Sequence, residues 1–179
     1  MSNIDDKYGV VYKKDDYASL IRRVFIAVTD IIVIAALSAA SLFITSPLIE
    51  FADMYLNFNM FLILSLIIWY FALLKRSKFR TIGYRLAQVK IVDLQGKKPS
   101  IFKMIIRALL LILGPFEFII DLIWLTSETT KQTLRDKYVG TYVVDERANP
   151  VGNARLQTVT LGVMGLSFTY REVKENSIK

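Results

Sequence analysis

Apolar and polar positions divide the chain into blocks much longer than those of a water-soluble domain. Residues 24–45 are apolar except for Asp30 and small or hydroxyl residues. At 1.5 Å per helical residue this run is long enough to cross a hydrocarbon core of roughly 30 Å. A second run, 56–74, carries Phe58, Phe61, Trp69, Tyr70 and Phe71 near its ends, as interfacial aromatic belts do, and stops at Lys75-Arg76. These runs predict two transmembrane helices. A third apolar stretch, 104–125, is interrupted by Arg107, Gly114-Pro115, Glu117 and Asp121. Proline removes a backbone donor and clashes with the preceding turn, so a helix there should break into two half-membrane pieces. The reading favours a re-entrant hairpin over a single span, with its irregular tip buried in protein or lining water.

Between the second and third runs, residues 87–93 alternate and are rich in β-branched side chains. Gln95-Gly96-Lys97-Lys98-Pro99 then reads as a turn, and Ser100 as the N-cap of a following helix. Residues 139–145 form a second strand-like run. If the two pair, they lie on one side of the membrane and the stretch between them must enter and leave by the same face. The tail 146–179 is open to several readings, since 159–170 is apolar but too short to span: a strand, an interfacial helix or a partner contact.

The expected class is therefore an all-α membrane protein with a small cytoplasmic β element. It divides into a cytoplasmic segment 1–23, a membrane domain 24–145 and a cytoplasmic tail 146–179. Within the membrane domain, 75–103 is a basic loop.

Charge sets the orientation. The connection 46–59 contains Glu50 and Asp53 and neither Lys nor Arg. Residues 75–103 carry Lys75, Arg76, Lys78, Arg80, Arg85, Lys90, Lys97, Lys98 and Lys103 against the lone Asp93. The positive-inside rule makes the second loop and the N-terminus cytoplasmic, in a multi-pass protein of the cell membrane. A basic loop beside anionic lipid accounts for the pI of about 9.6, so nucleic acid is not an expected partner. Hydrophobic residues make up 54% of the chain and mean hydropathy is +0.41, which excludes disorder and places the excess against lipid.

The 179 residues include neither cysteine nor histidine. That removes thiolate nucleophiles, disulfides, Cys- or His-ligated metals and the commonest general base. Neither a phosphate-binding loop nor a nucleophile elbow occurs. The expectation is a non-enzyme with no cofactor and no metal.

Two groups of charges stand where charges are costly. Asp30 follows Arg23 by two helical turns and lies about 10 Å deeper on the same face. Ile34, Ser38, Ser41 and Thr45 continue that face within about 80°, as expected of a side turned to protein. An intramembrane carboxylate is a candidate proton carrier or cation ligand, or else a structural group paired with Arg23, Arg107 or a freed backbone amide. Glu117 and Asp121, four apart, share a helix face and could extend an ion or proton path with Asp30 and Arg107, or be wetted or paired near the surface.

Three stretches resemble the RDD family of small bacterial membrane proteins. They are Ala18-Ser19-x-x-Arg22-Arg23 with Asp30; Thr81-Ile82-Gly83-Tyr84-Arg85-Leu86 through Val89–Asp93 to Gly96; and Gln132-Thr133-Leu134-Arg135-Asp136-Lys137-x-x-Gly140-Thr141-x-Val143-Val144. The chain departs from the family where it has Ile26, often Ala there, and Arg135, commonly His there. The resemblance implies a polar cluster of Arg23, with Arg22 as the alternative, Asp30, and Asp136 in preference to Asp93. It also implies two kinds of activity. One is transport, with cation/proton exchange in some members, here of a proton or monovalent cation by an oligomer, because two spans cannot enclose a gated path. The other is service as a scaffold or accessory subunit of a membrane complex. Expected partners are the bilayer, a second copy or another membrane protein, and anionic lipid at the basic loop.

Overall fold

The computed structural model describes residues 8–112, 130–163 and 166–173. Gly114-Pro115, Glu117 and Asp121, and with them the tip of the third apolar stretch, lie outside the described residues.

The Ser19 hydroxyl accepts the Arg22 N–H and so caps α1, Leu20–Thr45, which a 3-10 turn at Ser46–Leu48 closes around Pro47. The chain returns as α2, Ala52–Ile68, and continues into a π-helical turn, Trp69–Leu74. Both helices are long and apolar enough to cross a membrane. Only 11% of the most apolar window of the first and 17% of the second are buried inside the protein, so most of their surface has no protein to pack against. Ile21, Phe25, Ile31, Ile32, Met60 and Phe61 are among the exposed side chains. Near the turn the helices meet through a polar contact, in which the Thr45 hydroxyl donates to buried Asn59 at 3.0 Å and the Asn59 amide donates to the Tyr55 carbonyl within α2.

After the spans come a short helix α3, Ile82–Leu86, strand β2, Val89–Asp93, and helix α4, Ile101–Ile112. Helix α5, Leu134–Val139, leads into strand β3, Thr141–Asp145. A capping box starts α5, with Thr133 and Asp136 bonding each other's backbone. Gly140 ends it with φ +63, returning its N–H to the Asp136 and Lys137 carbonyls in a left-handed conformation that glycine adopts without strain.

Strands β2 and β3 pair antiparallel with Ile91 opposite Val143. Period-two alternation sends their side chains into two different cores. Val92, Tyr142 and Val144 join Val11, Tyr12, Tyr17 and Leu94 on one face. Val89, Ile91 and Val143 join Ile26, Ala72, Tyr84, Met104 and Ala108 on the other. The ribbon is thus a wall between a membrane-side core and an outer one.

The outer core is closed by a second sheet. Strand β1, Tyr8–Val11, pairs with β4, Gly152–Val163, which pairs with β5, Leu166–Val173, all antiparallel. Val10 N–H bonds the Leu94 carbonyl and so links the outer sheet to the end of β2, Ala18 N–H bonds the Val143 carbonyl of β3, and Val151 N–H bonds the Val11 carbonyl to extend the β1–β4 pairing. Of the readings left open for the tail the structure has the strand, and it adds to the rest of the sequence reading. The tail is a strand hairpin, the N-terminal segment supplies a strand of its own, and these outer segments form one body with the residues between them. The described residues form two sheets rather than a single small β element, and the pairing of β1 with distant β4 leaves no local mark in the sequence.

Candidate functional site

Asp136 is fully buried. The start of α5 positions it, and its Oδ2 accepts the Thr133 N–H as part of the capping box. Two arginines from two other helices converge on the same carboxylate. Arg23 of α1 reaches Oδ2 at 2.6 Å, and Arg107 of α4 forms an ion pair with Oδ1. Arg23 spends its other donors on the Lys131 carbonyl at 2.7 Å and the Ala18 carbonyl. Arg107 also donates to the Thr141 hydroxyl at 2.8 Å. Burial alone would favour the neutral acid, but the guanidinium groups of Arg107 and Arg23 outweigh it and hold Asp136 down to about 2. The carboxylate therefore remains ionised and ties α1, α4, α5 and β3 to one point.

Asp30 is also fully buried, and it occupies a different cluster. Its Oδ1 accepts the Tyr70 hydroxyl at 2.9 Å and the Gly83 N–H at 3.0 Å. Its Oδ2 accepts the Thr81 hydroxyl at 3.1 Å and forms an ion pair with Lys75 at 3.3 Å. The Lys75 ammonium lies over the rings of Phe71 and Tyr84, 4.6 and 4.7 Å from their centroids. The π-helical turn brings these groups together. In an α-helix residues five apart point about 140° away from each other, whereas here the Lys75 N–H bonds back five residues to the Tyr70 carbonyl and both side chains reach Asp30.

Gly83 permits the close approach of α3. A β-carbon there would stand 2.7 Å from both Asp30 Oδ1 and the Ile26 carbonyl, and the latter, being backbone, has no side-chain freedom with which to yield.

The sequence reading places Arg23, Asp30 and Asp136 in one polar cluster; the structure divides them. Arg23 and Asp136 meet, joined by Arg107, while Asp30 takes Lys75, Tyr70, Thr81 and the Gly83 amide. Tyr84 stands between the two clusters, 2% exposed. Burial pushes its phenol up, and the charges of Arg107, Asp136, Arg23 and Asp30 all reach it. Sharing a helix face with Arg23 does not bring Asp30 to it, because α3 fills the space beside Asp30. The freed backbone amide considered for Asp30 is that of Gly83. The sequence marks Tyr70 as an interfacial aromatic and Lys75 as the first charge of the basic loop and does not join them to Asp30, since their convergence depends on a π turn that apolar periodicity does not signal. Thr81 and Gly83 fall in a stretch the family resemblance had already marked.

Asp93, the other candidate second aspartate, accepts the Gln95 and Lys97 N–H groups inside its own turn. Arg22, the alternative first arginine, pairs at the surface with Asp145 at 3.0 Å. Among the described residues no group of three or more acidic, histidine or cysteine side chains could hold a metal ion. Both buried carboxylates are saturated with donors, an arrangement suited to fixing elements in place and to holding charge out of water.

No curated protein and no solved structure matches the chain. The model of the RDD family matches residues 17–140. That span runs from the residue before Ala18 to the glycine that ends α5, and it contains both buried carboxylates with Arg23, Lys75, Thr81, Gly83 and Arg107. With well over half of its length matched, and with two apolar helices fit to cross a bilayer, this membrane protein belongs to the RDD family.

Proposed function

We propose that the protein is a non-catalytic scaffold or accessory subunit, holding a strand-rich platform against the cytoplasmic face of a membrane for a partner membrane protein. The observation that carries this reading is the double clamp on Asp136. Arg23 comes from the first span, Arg107 from α4, and the carboxylate from the helix that leads into β3. A buried carboxylate with two arginines and a cap is a rigid joint between membrane and platform.

The hydrogen bonding also supports a one-sided topology. Strand β2 precedes the third apolar stretch and β3 follows it, and the two are paired. The chain between them therefore starts and finishes on one side, as a re-entrant hairpin does. Ala18 before the first span also bonds to β3, so the N-terminus shares that side and the two spans cross and return. The positive-inside rule makes it the cytoplasmic side.

A second reading, transport of a proton or monovalent cation by an oligomer, draws on the Asp30–Lys75 pair beside Tyr70. An intramembrane acid with a single ammonium partner is the group such a path would use.

Two measurements on the full chain separate the readings. The scaffold reading expects Asp136→Asn and Asp30→Asn each to lower the melting temperature in detergent, and liposomes containing the wild-type protein to show no more pH- or cation-gradient decay than empty ones. Flux that wild type supports and Asp30→Asn abolishes, with the variant still folded, would overturn it in favour of transport.

A further inference from the structure

We infer that the segment 78–86 is a binding site for an anionic phospholipid headgroup, with Lys78 and Arg85 engaging the phosphate and Phe79, Ile82 and Leu86 seated among the acyl chains. The inference starts from side chains that the fold leaves unused. Phe79 is 75% exposed, Ile82 45% and Leu86 61%, although all three are large and apolar. Ile82 and Leu86 are four apart on α3 and share one side of it, and Phe79 is exposed in the bend just before the helix.

Depth comes from Gly83, the buried neighbour of Ile82 on α3. It packs against the Ile26 carbonyl and Asp30, which puts the helix beside the second and third turns of the first span. Those turns lie roughly 10–15 Å along the helix from its start at Leu20. The exposed side of α3 therefore continues the lipid-facing surface of α1, where Ile21 and Phe25 are also exposed.

The charges on this segment differ from their neighbours. Lys75 and Arg80 are committed to Asp30 and Glu146, and Arg76 to the Pro99 carbonyl. Lys78 and Arg85 are exposed and form no ion pair among the described residues. The lone acid in 75–103, Asp93, is turned into its own backbone. Two free cations interleaved with three exposed apolar side chains, level with the first turns of a membrane span, complement a headgroup that carries both a phosphate and tails. A soluble anion would use only the cations.

The test uses the full chain in neutral detergent, titrated with phosphatidylglycerol or with phosphatidylcholine while thermal melting is followed. Phosphatidylglycerol is expected to raise the melting temperature well above what phosphatidylcholine achieves. A basic residue near an anionic surface contributes about fivefold, so Lys78→Gln with Arg85→Gln should shift half-saturation by roughly 30-fold and leave the melt in phosphatidylcholine unchanged. Phe79→Gln, which keeps both charges, should also weaken the effect. The inference is overturned if the two lipids act alike, if inorganic phosphate reproduces the stabilisation, if the double variant responds as wild type, or if Lys97→Gln with Lys98→Gln removes the response equally.

Discussion

Asp136 concentrates the consequences of single residues. Removing its charge takes away the anion that Arg23 and Arg107, each with a side chain 11% exposed, share. Breaking one partner out of a buried ion cluster typically costs about 3–5 kcal/mol. The same carboxylate gives the protein an acid limb. An ordinary aspartate titrates near 3.9, whereas the two guanidiniums hold Asp136 at about 2. Its folded value is depressed, so its contribution is complete above about pH 4 and is lost as pH falls from there toward about 2, by an amount on the order of 2–3 kcal/mol. Half-buried Asp145 and exposed Glu146 are held down as well, by the Arg147 N–H and the Arg80 side chain respectively, and add to the same limb. The difference in melting temperature between wild type and Asp136→Asn, followed from pH 6 to pH 2.5, isolates the Asp136 share. The gap should narrow steadily below about pH 4, and a constant gap would show that folding does not lower the pKa of this carboxylate.

At the scale of elements, the packing of α3 on α1 is sensitive to volume. A methyl group at position 83 meets backbone at Ile26 and the Asp30 carboxylate, and forcing a few tenths of an ångström or more into a packed joint costs about 1–3 kcal/mol. Gly83→Ala should therefore melt several degrees lower in detergent than wild type, and an unchanged melt would show that the two helices do not meet there. The sequence made some of these elements visible and hid others for physical reasons. The two spans and the paired strands β2 and β3 are written in local hydropathy and alternation, so their positions could be read directly. Asp30 also stood out, because one charge in an apolar run is a local anomaly. Its partners were hidden: Lys75 and Tyr70 come from a helix turn whose i to i+5 bonding breaks the expected spacing, and Gly83 matters for what it lacks. Strand β1 was invisible for another reason, since its four residues acquire a role only through β4, which lies far along the chain.

Across the whole molecule, hydrogen bonding and the ion clusters converge on one side of the two spans. Arg23 at the start of the first span and Lys75 at the end of the second are both used to fix the platform, and the turn between the spans carries Glu50 and Asp53. Because the chain contains no cysteine, single substitutions report topology cleanly. Cysteines replacing Lys97 and Asn149, both exposed, should react with an impermeant thiol reagent only in inverted vesicles, and one replacing exposed Glu50 only in right-side-out cells. Ser127 carries the finer distinction, because a re-entrant stretch puts it with Lys97 and a third crossing puts it with Glu50. A third crossing would have to leave β3 on the far side of the membrane from β2, tearing apart a ribbon whose side chains supply both cores. Labelling of Ser127→Cys from the outside in a folded protein would thus overturn the one-sided platform itself, and with it the assignment of Asp136 as the joint that holds that platform to the bilayer.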